Sequence, residues 1–299
     1  ILFETLRKLS TEGTAILYIS HKLEEIRVLC ENATILRMGE VVATCDPRET
    51  SARDMAELMV GEVLHVPDKG TTSGGDVLLE LRDLSAKAPH QFGTTLQRIS
   101  LQVKAGEVLG IGGVAGNGQD ELVAALSGEM ATASGMIWLR GDDVSTLAVN
   151  ARRGLGLLAA PEERMGHAAA PDMSLTENAI LTGATRKSLT RNGFLNWPAA
   201  KRFADEVIDT FDVRTPGPDN MARSLSGGNL QKFVIGREVL QDPDVLVVNQ
   251  PTWGVDAAAA ASIRQALLDL AAKGVAVICI SQDLDELMEI SETFAALND

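Results

Sequence analysis

The chain has little positive charge, few aromatic side chains and few cysteines. Among its 299 residues there are 27 Lys and Arg against 41 Asp and Glu, which gives a formal net charge of −14 at pH 7. A nucleic-acid surface needs clustered Lys and Arg to replace phosphate counterions, so this balance argues against a nucleic-acid partner. Aromatic residues are only 4% of the chain, yet hydrophobic residues are 45%, which suffices for the core of one or two domains.

Cysteines and long hydrophobic runs are scarce as well. Cys30, Cys45 and Cys279 are odd in number and lack the spacing of metal ligands, so we expect reduced, buried thiols in a cytosolic protein. No apolar run approaches the roughly 18 residues of a membrane span, and no charged-then-apolar leader opens the chain. We therefore expect any membrane role to come through a partner protein.

Glycine, by contrast, is placed where it predicts a binding site. The stretch LSGGNLQK, residues 225–232, has a serine and two glycines followed by apolar residues at helical spacing. This pattern predicts a helix whose first backbone amides carry little side-chain bulk, and such helix ends bind anions. Taken alone, the stretch is explained equally well by an N-cap serine followed by flexible glycines.

A second glycine-rich turn, GVAGNGQD at residues 113–120, lies between an apolar strand and an apolar helix. This is the context of a phosphate-binding P-loop, G-x-x-x-x-G-K-[ST], but Gln119 stands at the lysine position and Asp120 at the Ser/Thr position. Losing a charge-assisted hydrogen bond costs about 1.5 to 3 kcal/mol, and Asp120 should also repel phosphate. The backbone amides could still hold an anion, and Asp120 could instead ligate a metal directly.

With these elements in this order, LSGGNLQK resembles the signature motif of the ATP-binding cassette (ABC) ATPases. The form is that of the tandem-cassette subunits of bacterial simple-sugar and nucleoside importers, and the resemblance covers essentially the whole chain. It implies an α/β P-loop NTPase fold with a mainly parallel core sheet, an antiparallel layer and a helical subdomain, at about 174–228, that carries the signature. It also implies ATP and Mg²⁺ as cofactors and a place at the cytoplasmic face of the bacterial inner membrane. The implied partners are integral-membrane permease subunits and, indirectly, a substrate-binding protein or lipoprotein.

The resemblance also assigns the site residues. The positions that bind nucleotide are Gly113, Gly116, Asn117, Gly118, Gln119 and Asp120 in the P-loop, Ser226, Gly227, Gly228 and Asn229 in the signature, and Asp256 in the D-loop. The Mg²⁺-side positions are Asn249, at the end of a Walker B-like strand, and Glu162, in the segment PEER whose other residues would face the membrane partner. The catalytic positions are Gln250 for the base, Gln282 for the switch, and His21 for the switch histidine of a first cassette.

Several of these positions have lost the charge that the family uses. The Walker B strand of the family usually ends in an aspartate for Mg²⁺ and a glutamate that polarises water. Asn249 and Gln250 keep the shape of these side chains, but a neutral amide is a poor metal ligand and no general base. Together with Gln282 and the altered P-loop, these residues predict a cassette that does not hydrolyse ATP well on its own.

An internal repeat accounts for the distant His21. Residues 6–36 align with 267–297 at a constant offset of 261, with ten identities in 31 positions. Both copies predict a helix, a glycine turn, a buried apolar strand (14–20 in the first copy) and an acidic helix. We therefore expect two cassettes joined head to tail, with the end of the first at 1–62, a linker at 63–75 and the second, short at its C-terminus, at 76–299. The chain begins in mid-helix, so we expect a fragment that lacks the rest of the first cassette.

Three functions remain open at this stage. The first is the ATPase subunit of a sugar or nucleoside importer, in which the intact signature completes the first cassette's site and this fragment alone is inactive. The second is a non-catalytic cassette that acts as a dimerisation scaffold or holds nucleotide. The third is a soluble cassette protein that works on ribosomes or in repair, which the acidic balance and the LSGGNLQK variant disfavour.

Overall fold

The computed structural model describes residues 2–20, 23–37, 39–60, 75–88, 90–91 and 93–298. Contacts divide the chain into two compact units, Ile1–Val66 with Asp256–Ala261, and Pro67–Val255 with Ser262–Asp299. The predicted switch histidine, His21, and nearly all of the predicted linker lie outside the described residues.

The first unit combines helices with one antiparallel hairpin. Its elements are α1 (Leu2–Thr11), α2 (Leu23–Leu29), β1 (Ala33–Arg37), β2 (Glu40–Cys45) and α3 (Ala52–Val60). Strands β1 and β2 pair antiparallel, and Ile35 on β1 and Met55 on α3 are buried. The sequence also predicts a short amphipathic helix at 54–59, and α3 confirms it.

The apolar segment 14–20 does not form the buried strand that the sequence predicts. It has no regular secondary structure, and the side chains of Leu17 and Ile19 are 89% and 88% exposed. A buried strand needs hydrogen-bonding neighbours on both edges, and within the part of the chain that the structure describes no strand pairs with this segment. The prediction is therefore wrong for these residues.

The repeat is nevertheless visible as one shared hydrogen bond. Ser20 Oγ donates to Glu25 Oε2 at 3.3 Å in the first unit, and Ser281 Oγ donates to Glu286 Oε2 at 2.7 Å in the second. Each serine comes at the end of the apolar segment, and each glutamate lies in the first turn of the helix that follows. The same pair of side chains therefore ties the segment to its helix in both copies.

The second unit is built on two sheets. Its strands are β3 (Val77–Ala86), β4 (Leu96–Lys104), β5 (Val108–Gly112), β6 (Ile137–Leu139), β7 (Asp142–Asp143), β8 (Leu157–Ala160), β9 (Thr190–Arg191), β10 (Phe194–Leu195), β11 (Val245–Asn249), β12 (Ala276–Ser281) and β13 (Thr293–Ala296). The core sheet has the order β13-β5-β12-β11-β8 with all pairs parallel, and the second sheet has the order β4-β3-β6-β7 with all pairs antiparallel. The predicted fold class is confirmed.

Helices cover the core sheet and form the subdomain that carries the signature. They are α4 (Gln119–Ser127), α5 (Val149–Gly154), α6 (Leu175–Gly183), α7 (Trp197–Thr210), α8 (Gly227–Val239), α9 (Ala257–Ala272) and α10 (Leu284–Ile290). The predicted helical subdomain corresponds to α6, α7 and the beginning of α8. Strands β9 and β10 form a small hairpin before α7, and Phe194 is 79% exposed there.

The core strands place three predicted site segments at one edge of the sheet. Every residue of β5, β11 and β12 is buried, as expected for parallel strands covered on both faces. Because the carboxyl ends of parallel strands meet at the same edge, the turn after Gly112 lies beside the strand ends at Asn249 and Ser281. This edge carries the candidate site.

The three cysteines are free thiols, but their burial differs from the prediction. Cys279 lies within β12 and is fully buried, and burial raises the pKa of its thiol well above the usual value. Cys30 and Cys45 are only half-buried. Both belong to the first unit, where Cys30 follows α2 and Cys45 ends β2.

A buried ion network anchors the C-terminal half of α8. Glu238 accepts hydrogen bonds from Arg153 Nη2 and from Arg237 Nε, the latter at 3.0 Å. Arg237 also donates to the carbonyl oxygens of Asn178 on α6, at 3.0 Å, and of Ala168, at 2.8 Å. Burial alone would raise the pKa of Glu238, but the two arginines outweigh it and hold the pKa below its ordinary value. The network joins α8 to α5 and α6.

Replacing Arg153 by methionine should therefore destabilise the protein. The change leaves Glu238 with one arginine instead of two in a buried site, so we expect a loss of about 3 kcal/mol in the free energy of unfolding, measured by urea titration. The control is Lys201→Met, which removes an exposed ion pair with Asp219 and should change stability by less than about 1 kcal/mol. Equal losses in the two variants would contradict the assignment.

The buried carboxyl of Glu286 should produce a measurable pH dependence. Its side chain is 3% exposed, and burial raises its pKa despite the hydrogen bond from Ser281. Because the folded-state pKa exceeds the unfolded value of about 4.3, the unfolded state ionises first, and stability falls as pH rises between the two values. Glu286→Gln should remove this part of the fall, measured by urea titration from about pH 4 to pH 8. An unchanged pH profile would show that Glu286 is ionised without penalty.

Candidate functional site

A cleft of about 790 Å³ opens at the carboxyl edge of the core sheet. Six of the predicted site residues line it, namely Gly116, Gln119, Asp120, Glu162, Gln250 and Gln282. They come from the phosphate loop, the PEER segment and the ends of β11 and β12, which are far apart in the sequence. The structure thus brings the predicted own site of this cassette together, and the roles of its residues stay predictions.

Gln119 fills the interior of the phosphate loop. Its side chain is only 7% exposed, and its Nε2 donates to the carbonyl oxygen of Val114 at 2.9 Å. A Cβ built on Gly113 would lie 2.6 Å from the same nitrogen. The absence of a side chain at Gly113 therefore leaves room for the Gln119 amide. At the lysine position of the P-loop pattern, the side chain is therefore neutral, and its amide N–H group donates a hydrogen bond within the loop.

The remaining loop residues shape the turn. Gly116 and Gly118 have φ values of +91° and +96°, a left-handed conformation that favours glycine. Asn117 Nδ2 donates to the carbonyl oxygen of Leu297 at 3.3 Å. The loop is thus closed by its own side chains. By the family resemblance, His90 and Phe92 fall near the position of an adenine-stacking aromatic, but the local sequence is too unlike the family to assign that role to either. Phe92 lies outside the described residues.

Asp120 and Asn249 form a hydrogen bond across the cleft. Asn249 Nδ2 donates to Asp120 Oδ1 at 2.8 Å, while Asn249 Oδ1 is buried and has no partner among the residues that the structure describes. In the family pattern the carboxylate lies on the Walker B strand and the neutral group on the loop. Here the carboxylate lies on the loop and the amide on the strand, so the two positions have exchanged charge.

The opposite wall of the cleft is also acidic. Glu162 and Glu163 line it, and burial, followed by the charge of Asp120, raises the pKa of Glu162, with Arg164 acting in the opposite direction. Gln250, at the end of β11, is 4% exposed, and its Oε1 lies 3.5 Å from Ser281 Oγ. Both predicted catalytic positions of this site, Gln250 and Gln282, therefore present amides to the cleft.

The phosphates of ATP do not fit this set of residues. Three carboxylates, those of Asp120, Glu162 and Glu163, face the cleft, and the donor of Gln119 is already bonded to Val114. A phosphate group would meet negative charge where the P-loop pattern supplies a lysine. The geometry supports the prediction of a cassette whose own nucleotide site is degenerate.

The signature, in contrast, has the conformation that the sequence predicts. Helix α8 begins at Gly227, and the N-cap residue Ser226 accepts from the backbone nitrogen of Asn229 at 3.4 Å and from its Nδ2 at 2.9 Å. Asn229 Oδ1 in turn accepts from the backbone nitrogen of Arg214 at 2.8 Å. Ser226 and Gly227 are exposed, and Gly228 is half-buried. The first amides of α8 therefore lie at the surface in a shaped turn, as an anion site requires.

The signature helix is tied to the end of β11. Gln231 is 1% exposed, and its Nε2 donates to the carbonyl oxygens of Gln250, at 3.4 Å, and Pro251, at 2.9 Å. Asp256, the predicted D-loop residue, accepts from the backbone nitrogen of Ala259 at 2.8 Å and caps the first turn of α9. It belongs to the other compact unit.

Sequence reasoning missed two features of the cleft. Glu163 and Arg164 were expected to face a membrane partner, but both line the cleft. His167, which was not singled out, also lines it, and its Nε2 lies 2.8 Å from Glu129 Oε2. No periodicity shows that these residues line the cleft, because they follow β8 in an irregular loop whose path depends on tertiary contacts.

Comparisons with known proteins identify the family of the chain. A family model described as "ABC transporter" matches residues 96–253. The glucose import ATP-binding protein TsgD13 of Haloferax volcanii is 37% identical over 98% of this chain and 54% of its own length. The nucleoside import ATP-binding protein NupA of Lactococcus lactis is 35% identical over the whole chain and 59% of its own length. The chain thus spans somewhat more than half the length of these curated relatives.

Solved structures support the fold. A dimeric ATP-binding cassette in a post-hydrolysis state, bound to ADP and Pi, superposes with a TM-score of 0.61 at 18% identity, over 74% of this chain and 94% of that one. At this identity the likeness concerns the fold alone. Among the described residues, no helix is long and apolar enough to cross a membrane. The chain belongs to the ABC transporter family, as an ATPase domain homologous to the ATP-binding proteins of sugar and nucleoside importers.

Proposed function

We propose that this chain is part of the ATP-binding subunit of an importer for a simple sugar or a nucleoside, and that its own cleft is not the catalytic one. The observation that carries this proposal is the contrast between the two predicted phosphate sites. The signature turn at Ser226 leaves the first amides of α8 at the surface, while Gln119 and Asp120 leave the cleft without a cation at the lysine position. The chain therefore contributes its signature to the site of a neighbouring cassette.

The neighbouring cassette is the first cassette of the same protein, of which residues 1–62 are the end. The exposed segment 14–20 supports this assignment. Ile278 and Ile280 are the equivalents of Leu17 and Ile19 in the repeat, and both are fully buried between β11 and β5. Exposing an apolar segment of this kind is unfavourable, so a parallel sheet is expected to cover residues 14–20 in the whole protein. His21 would then occupy the switch position of that first cassette.

The proposed role of the signature is electrostatic. ATP held with Mg²⁺ by the neighbouring cassette would supply the phosphoryl group for hydrolysis. The amides of Gly227 and Gly228 have no acceptor within α8, so they are free to donate to an oxygen of a terminal phosphate. The Ser226 hydroxyl accepts from Asn229 and keeps its own proton for the same purpose. Donors fixed in this way stabilise negative charge that develops during phosphoryl transfer.

The intact protein is expected to act with membrane partners. The names of the relatives point to import of glucose and of nucleosides, which supports a permease partner and a place at the cytoplasmic face of the membrane. A substrate-binding protein or lipoprotein would take part indirectly, since cargo is recognised by other subunits. The phosphate-loop sequence GVAGNGQ resembles nucleoside-type relatives more than pentose or galactose ones.

A second candidate function is a non-catalytic scaffold that only holds the first cassette in place. The closed phosphate loop, with Gln119 Nε2 on the carbonyl oxygen of Val114, favours it. The two candidate functions predict different effects of changing the signature. A scaffold tolerates loss of the free amides at Gly227, whereas a contributor to catalysis does not.

Ser226→Arg in the full-length protein tests this difference. The larger side chain covers the amides of Gly227 and Gly228, so ATPase activity should fall by about 100-fold or more if they stabilise the phosphate. The control is Ser134→Arg, an exposed serine before the antiparallel strand β6, which should keep wild-type turnover. Undiminished ATPase activity in Ser226→Arg would contradict the catalytic role of the signature and favour the scaffold function.

Calorimetric titration of this chain with ATP and Mg²⁺ tests the degenerate cleft. We expect no binding heat at millimolar ATP in the wild type, because phosphate meets Asp120 and finds no lysine. A variant with Gln119→Lys and Asp120→Ser should bind at least about tenfold more tightly, since it regains one charge-assisted hydrogen bond. Ser134→Arg again serves as the control. Micromolar binding by the wild type would mean that the charge argument is wrong.

A further inference from the structure

One side chain, Arg164, joins the cleft wall to the signature and to the turn after β11. Its Nη2 donates to the carbonyl oxygen of Trp253. A Cβ built on Gly227 would lie 2.8 Å from Arg164 Nη1, and a Cβ on Gly254 would lie 3.1 Å from Nη2. The flat guanidinium is therefore packed against two glycines, the first residue of α8 and a residue of the turn. Any larger residue at Gly227 would push it away.

The stability of α8 does not explain this placement. A cation near a helix N-terminus faces the positive end of the helix dipole, which is the unfavourable sign. Partial burial lowers the pKa of Arg164, and only the charge of Glu162 acts in its favour. The C-terminal half of α8 is already held by Arg237 and Glu238. Helix stability therefore does not explain why Arg164 lies at the N-terminal end of α8.

We propose that Arg164 is a positioning residue for the signature, which holds the free amides of α8 at a fixed angle to the turn at Trp253 and Gly254. This inference rests on the proposed function, because the angle matters only if those amides meet a phosphate on a neighbouring cassette. Hydrogen-bond donors stabilise developing charge only when they are aimed at it beforehand, and small misplacements are costly in rate. Arg164 acts through Gly227 and Trp253 and makes no contact with nucleotide itself.

The contact also explains why arginine is required. The guanidinium presents a planar face to two glycines and still donates at its edge to the Trp253 carbonyl. A lysine ammonium is a compact point charge and can satisfy the carbonyl but not both packing contacts. Methionine keeps a side chain of similar length and loses every polar contact. These two substitutions separate the shape of the group from its charge.

The first experiment uses this chain alone, and so it does not depend on transport. Wild type, Arg164→Met and Arg164→Lys are compared with Arg82→Met, which alters an exposed arginine on the antiparallel sheet. In Arg164→Met the amide order parameters of Gly227, Gly228 and Gly254 should fall from about 0.85 towards 0.6, while those near Glu238 stay unchanged. The unfolding midpoint should move by no more than about 2 °C.

The outcomes of this experiment are distinct. Unchanged order parameters in Arg164→Met overturn the inference. A fall of the unfolding midpoint by more than about 5 °C also overturns it, since Arg164 would then serve the stability of the fold. Arg82→Met should leave all three glycine amides as they are in the wild type.

The second experiment measures ATP turnover of the full-length protein. In Arg164→Met, kcat should fall by about tenfold or more with less than about a twofold change in KM, because nucleotide is held by the other cassette. Arg164→Lys should recover only part of the loss, and Arg82→Met should match the wild type. If Ser226→Arg abolishes turnover but Arg164→Met does not, the inference is wrong while the proposed function stands. If Ser226→Arg leaves turnover intact, the proposed function fails and the inference with it.

Discussion

Helix α8 is held at its C-terminal end by two arginines, Arg153 and Arg237, that bind the buried Glu238. The position of its N-terminal end depends on this anchor. A helix can leave its first amides free at the surface only if its orientation is fixed elsewhere. Arg237 supplies that constraint by donating to the carbonyl oxygen of Asn178, on α6, and to that of Ala168, in the loop after β8. The N-terminal end is shaped by the hydrogen bonds of Ser226 and by the contacts of the partly buried Arg164. The buried anchor and the exposed first turn thus lie at opposite ends of one helix.

The cleft beside it has kept its shape and lost its charge pattern. Asp120 and Asn249 hydrogen-bond at 2.8 Å, and Gln119 bonds within the loop, so the local structure is satisfied without a ligand. A buried polar site that satisfies its own hydrogen bonds is stable without a ligand. The shared Ser–Glu hydrogen bond of the repeat persists for the same reason, because it stabilises the end of a strand and the start of a helix.

Several expectations from the sequence agree with the structure because they depend on local pattern. The signature begins a helix at Gly227, the phosphate loop connects a buried strand to α4, and the apolar runs 245–249 and 276–281 form the centre of a parallel sheet. The same reasoning failed at 14–20, whose composition is equally apolar. Burial of a strand is a property of its neighbours, and the described part of this chain supplies none for that segment.

The sequence by itself determined the family, the fold class and the changed charge at Gln119, Asp120, Asn249 and Gln250, because motifs and residue types can be read without coordinates. Only the tertiary structure decided which side chains meet. The hydrogen bond between Asp120 and Asn249 joins residues 129 positions apart, and Arg164 reaches Trp253 across 89. Neither contact follows from spacing or periodicity, since both depend on how the loop after β8 and the end of β11 converge at one edge of the sheet.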